Sequence, residues 1–209
     1  PTVMAPHGPS LLQDGTLLSM GKETDKKEAD GRIMVYRSAD GGITWQYDAD
    51  PPLPEGDLLF FEPHLIQLKS GKIVAHLRHH HHEGGKQRLD LYQTESWDSG
   101  ASWSPVHALG ACGSPPHLLE HSSGALVCVY GRREEPYGES FMISYDEGAT
   151  WAVDLPLDWG APNSDLGYPS SVELADGSLL TVYYQKKAEG EPCSLLYTHW
   201  QLPERRDPA

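Results

Sequence analysis

The chain has 209 residues, 38% hydrophobic, 9% aromatic and 22% charged, with 21 Gly and 17 Pro. This balance allows a buried core and excludes a collagen, a coiled coil and a disordered tail. Sixteen Lys and Arg against 30 Asp and Glu leave a formal charge of −14, a field that repels a phosphate backbone, so nucleic acid is not expected as a partner. No stretch approaches about 20 uninterrupted apolar residues, so no membrane span is expected.

In chain order the same unit recurs four times. Short apolar runs flank a small turn at Gln13-Asp14-Gly15, Lys69-Ser70-Gly71, Ser122-Ser123-Gly124 and Ala175-Asp176-Gly177. Each turn glycine supplies a residue for which positive φ costs little, and the flanking runs, such as Leu65–Leu68 with Ile73–Leu77 and Val172–Leu174 with Leu179–Tyr184, predict a β-hairpin. A third strand is predicted in each unit, at Ile33–Arg37, Leu89–Thr94, Phe141–Ser144 and Leu195–Trp200. Helical periodicity is nowhere sustained, so the chain reads as all-β. The unit boundaries fall roughly at residues 1–55, 56–110, 111–162 and 163–209.

After the third strand, three units carry S-x-D-x-G-x-[ST]-W: Ser38 to Trp45, Ser96 to Trp103 and Ser144 to Trp151. The Asp (Asp40, Asp98, Asp146) can accept turn N–H bonds and the Gly (Gly42, Gly100, Gly148) supplies the left-handed residue. The Trp (Trp45, Trp103, Trp151) packs into the neighbouring sheet. Units of about 50 residues that stack on one another are blades of a β-propeller. With this Asp box the chain resembles the sialidase family and its BNR-repeat relatives. That resemblance implies a six-bladed propeller of which about four blades are present here, with about two expected upstream; a complete four-bladed propeller is the alternative.

Hairpin geometry places the turn glycines and the Asp boxes at one end of the blades. At the other end, nine residues before each turn glycine, stand Pro6, Glu62, Pro115 and Tyr168; seven residues after it stand Lys22, Arg78, Gly131 and Tyr184, with Arg132 and Arg133 beside Gly131. This mouth gathers Glu62, Arg78, Arg132, Arg133, Tyr168 and Tyr184. Cys112, Cys128 and Cys193 have no C-x-x-C spacing, and Cys128 reads as a small core residue. His79–His82 could bind a metal weakly, but beside Glu83-Gly84-Gly85 the run reads as a solvated loop. No metal is assigned.

The resemblance implies roles at matching positions. Tyr168, in Gly167-Tyr168-Pro169, falls where the family has its nucleophile, a neutral phenol suited to a sugar whose anomeric carbon bears a carboxylate. Glu62 matches the general base and Arg78 a carboxylate-binding arginine. Where relatives carry a further arginine before the third Asp box, this chain has Ser140, and Arg132 or Arg133 could supply the fork, or Glu139 could fill it as a salt-bridge partner. The first triad arginine and the acid/base Asp are expected upstream, since Asp25 and Asp30 read as a solvated charged loop. The implied activity is hydrolysis of terminal sialic acid from glycoconjugates without a metal or organic cofactor. The alternatives are a non-catalytic propeller that binds glycan or protein, and a glycosidase for another sugar.

Overall fold

A computed structural model describes residues 3–24, 32–55, 59–83 and 86–204. Asp25, Asp30, Gly84 and Gly85 therefore lie outside the described residues. The described chain is all-β, in four antiparallel sheets that follow one another in sequence. The first holds β1 (Val3–Met4), β2 (Ser10–Leu11), β3 (Leu17–Glu23), β4 (Ile33–Ser38) and β5 (Gln46–Ala49), with β1 and β2 both pairing with β3. The second holds β6 (Leu59–Gln67), β7 (Ile73–Glu83), β8 (Lys86–Ser96) and β9 (His107–Cys112) in that order. The third repeats it with β10 (Pro116–Glu120), β11 (Leu126–Arg132), β12 (Gly138–Ser144) and β13 (Ala152–Trp159). The fourth has three strands, β14 (Gly167–Glu173), β15 (Leu179–Gln185) and β16 (Ser194–Trp200).

Successive sheets bury apolar faces against each other, which is how blades of a propeller hold together. Leu18, Met20, Ile33 and Val35 of the first sheet meet Leu65, Ile73, Ala75 and Leu77 of the second. Leu68, Val74 and Leu91 of the second meet Leu118, Cys128, Tyr130 and Met142 of the third, so Cys128 is a core residue. Val127, Val129 and Phe141 of the third sheet meet Trp200 after the fourth sheet's hairpin.

The three Asp boxes fold alike. Ser144 Oγ accepts from Gly148 N at 2.8 Å and donates to Asp146 Oδ1 at 2.7 Å, and Asp146 accepts from Thr150 N at 2.8 Å. Ser96 with Asp98 and Ser38 with Asp40 repeat the pattern. These hydrogen bonds favour the charged carboxylate, and the bond from the Thr44 hydroxyl leads those that hold Asp40 down at about 2. Trp103 is buried against the first sheet and Trp151 donates to Gln93 of the second at 2.9 Å. Each such indole thus packs on the preceding blade. Trp45 is 38% exposed, because no sheet among the described residues lies on that side of the first blade; it donates only to Gly42 O of its own turn, at 3.0 Å.

The Ser144 hydroxyl is buried, so its loss leaves the Gly148 N–H without a partner. Ser144→Ala is expected to destabilise the protein by about 1–3 kcal/mol in denaturant titration.

The histidine run differs from its reading as a solvated loop. His79, His80 and His81 continue β7 in register with β8, and His79 is buried at 2% exposure. The physical reason is alternation: Ile73, Ala75, Leu77 and His79 share one face, and the Phe60 and Tyr92 rings cover His79 there.

Candidate active site

Glu62 and Tyr168 occupy equivalent places in the second and fourth sheets, and the same irregularity puts them there. In β6 the register with β7 slips by one residue between Phe61 and His64, and in β14 the register with β15 slips between Gly167 and Ser170. Each slip is a bulge that leaves one residue out of the ladder and re-aims its side chain. Pro63 and Pro169, which have no N–H to donate, follow directly. Glu62 has φ 48° and Tyr168 φ 53°, a left-handed conformation that costs an ordinary residue about 1–2 kcal/mol. Backbone strain of this kind concentrates at functional sites.

Across the 106 residues that separate them, Tyr168 Oη donates to Glu62 Oε1. The other oxygen, Oε2, accepts from Arg78 Nη1 at 2.7 Å. Glu62 is buried and Tyr168 is 43% exposed, so the carboxylate is held below a phenol that reaches the surface. Burial, with the bond to Glu62, pushes the Tyr168 phenol up to about 12, while Arg78 and Arg133 oppose the rise. At neutral pH the phenol keeps its proton on Oη, aimed at a base.

Arg133 stands beside this group. Its guanidinium donates to Ser114 O at 3.3 Å and Ser164 O at 2.9 Å, and with Arg78 it lines a cavity of about 140 Å³. Tyr184 stacks loosely on Tyr168, centroids 6.0 Å apart, and donates to Asp165 at 3.2 Å. A close approach seats Tyr168: a Cβ on Gly131 would lie 2.9 Å from Gly167 Cα, so glycine at 131 lets β11 and the start of β14 touch.

Of the residues expected at the mouth, the structure brings together Glu62, Arg78, Tyr168, Arg133 and Tyr184. It turns Arg132 away: that guanidinium pairs with Asp154 at 3.2 Å and lies over Trp159. Alternation along β11 is the reason, since Arg132 shares a face with Tyr130, whose hydroxyl also donates to Asp154. Ser140 is buried and accepts from Trp159 Nε1 at 3.0 Å. Glu139 fills no salt-bridge role: it is fully buried and neither carboxylate oxygen has a hydrogen-bond partner.

The sequence reading gave no role to Phe61 or to a trio of histidines beside the site. Phe61 carries Lys22 Nζ 4.5 Å from its ring centroid and the Arg78 guanidinium at 5.7 Å. His7, His64 and His117 pack ring on ring with centroids 4.6–4.9 Å apart. Burial holds all three pKa values below the ordinary histidine range, and Glu62 acts electrostatically on His7. Their signal was positional: His64 and His117 both stand seven residues before a turn glycine.

The BNR repeat-like domain profile matches residues 4–181. No curated protein matches the chain. Among solved structures, a protein of unknown function from Dyadobacter fermentans DSM 18053 is similar with a TM-score of 0.82 at 24% identity, over 96% of this chain and 54% of that one. The Hadza microbial sialidase Hz136 gives 0.69 at 17%, over 95% and 46%. An alpha-L-arabinanase from Penicillium chrysogenum, complexed with arabinobiose, gives 0.72 at 20%, over 97% and 64%. The likeness is one of fold, and the chain spans about half to two-thirds of the length of these structures.

Proposed function

Because the chain belongs to the BNR repeat-like domain family, we propose that it forms part of an exo-acting glycoside hydrolase with Tyr168 as nucleophile and Glu62 as its base. The observation that carries this reading is the contact of Tyr168 Oη with Glu62, whose second oxygen is fixed by Arg78. A phenol held near 12 is a poor nucleophile until its proton leaves. As Oη attacks the anomeric carbon, that proton passes to Glu62. The glycosidic bond breaks, and its leaving oxygen takes a proton from an acid elsewhere in the domain. Water then attacks the anomeric carbon, giving a proton to the acid that was deprotonated in the first step, and the tyrosyl C–O bond breaks as Glu62 returns its proton to Oη.

A tyrosine nucleophile suits a substrate carrying a carboxylate at the reacting carbon, since a carboxylate nucleophile would meet like charge. We assign terminal sialic acid as that sugar. Arg78 has a buried Nε without a hydrogen-bond partner, and Arg78 and Arg133 both favour negative charge at Tyr168. A second reading, a neutral sugar such as an arabinofuranoside, is favoured by Ser140 standing in place of an arginine and by Arg132 facing Asp154.

Release of fluorophore by the full-length protein from aryl sialoside and aryl α-L-arabinofuranoside separates the two. Sialoside is expected to be turned over with kcat/KM at least about tenfold higher, a difference of about 1.4 kcal/mol in transition-state binding. The reverse preference selects the neutral sugar. Turnover of neither, with retained glycan binding, overturns the enzymatic reading in favour of a binding propeller.

A further inference from the structure

The β7–β8 ladder carries a cluster that the glycosidase reading does not use. Alternation sets His79 and His81 on one face of β7, the face opposite to Arg78, and the register places Asp90 directly across from His79. His79 lies against Phe60 and Tyr92, with ring centroids 5.0 and 4.9 Å away, and stacks on His81 at 4.7 Å and 14°. At 2% exposure neither of its ring nitrogens has a hydrogen-bond partner, and Nδ1 of His81 has none either. Buried polar atoms are nearly always paired, so the bare ring nitrogens of the buried His79 call for an explanation. One donor atom from each of His79, His81 and Asp90 lies within 4.8 Å of the other two.

We propose that His79, His81 and Asp90 bind a divalent transition-metal ion of the zinc or cobalt class. Two imidazole nitrogens and a carboxylate oxygen are a donor set such ions favour. Asp90 divides its oxygens: Oδ2 is 3.6 Å from His81 Nε2 and faces the cluster, while Oδ1 is 3.6 Å from Arg88 Nη2, which orients the carboxylate from outside. Bonds of about 2.0–2.2 Å set tetrahedral donors about 3.4 Å apart, so the three close by roughly an ångström on binding. The side chains of His81 and Asp90, 27% and 25% exposed, have room to make that movement. The ion ties β7 to β8 behind Arg78 and leaves a coordination position for water.

Titration of the untagged full-length protein with Co²⁺ tests the site. Wild type is expected to develop the visible bands of tetrahedral Co²⁺, discharged by stoichiometric Zn²⁺. His81→Ala and Asp90→Asn should each lose the bands and weaken binding at least about tenfold. His80→Ala, on the opposite face of β7, should keep both. Absence of the bands in wild type overturns the site, as does equal affinity in wild type, His81→Ala and Asp90→Asn. An equal loss in His80→Ala assigns the ion to the histidine run as a tract and also overturns it. If His81→Ala does not fold, the near-isosteric Asp90→Asn carries the test, and it should lack the Zn²⁺-dependent rise in Tm seen in wild type.

Discussion

Tyr168→Phe in the full-length protein is expected to lower kcat on the order of 10⁴-fold, the scale seen when a hydrolase loses a member of its nucleophilic group. A drop of less than about tenfold would remove Tyr168 from the chemistry. Glu62→Gln should cost about 10²–10⁴-fold, since the amide can still meet Oη but cannot take its proton. A third variant separates chemistry from scaffold. Tyr168 has φ 53° and is half-exposed, so Tyr168→Gly releases about 1–2 kcal/mol of backbone strain. That offsets the hydrogen bond and the partial burial that the ring loses. The glycine variant should therefore be inactive yet unfold within about 1 kcal/mol of wild type. A tyrosine kept for packing would show the opposite pattern, with activity falling only in step with stability.

Signals that act locally were legible in the sequence. The turn glycines and the S-x-D-x-G-x-[ST]-W boxes fix their own hydrogen bonds within a few residues, so four repeats of hairpin and third strand could be read directly, and the all-β fold with them. The register from each turn glycine also brought Glu62, Arg78 and Tyr168 to one end. The bulges were not foreseen, although Pro63 and Pro169 marked them by removing a ladder donor. The histidine run was misread because imidazole counts as polar in any hydropathy pattern, and the cover that buries His79, from Phe60 and Tyr92, comes from the strands on either side of β7. Arg132 and Arg133 could have been separated by period two alone: Tyr130 and Arg132 share a face, and the core needs Tyr130 on it. What no local pattern contains is the meeting of Glu62 with Tyr168, which depends on the closure of blades across 106 residues.

Glu139 carries the second large expected effect. It is fully buried in β12, directly across the ladder from Asp158, and neither oxygen is hydrogen-bonded. Burial pushes its carboxyl from 4.5 up to about 8, with Arg133 opposing the rise and Asp158 adding to it. The folded chain thus holds a proton that the unfolded chain releases at about 4.5. The associated stability is fully present below pH 4.5 and is lost as pH rises toward about 8, by up to on the order of 5 kcal/mol. Glu139→Gln keeps the shape and remains neutral throughout. Urea titrations of wild type and variant should give similar stability at pH 4, diverge as pH rises, and leave the variant more stable at pH 9. Parallel profiles would mean that Glu139 ionises in the fold at its ordinary value. The same ionisation places a negative charge in the field of Arg133 beside Tyr168, so the variant should also lose any alkaline change in substrate affinity that wild type shows near pH 8. A buried acid one residue from Ser140 then makes the charge that Arg133 faces a function of pH.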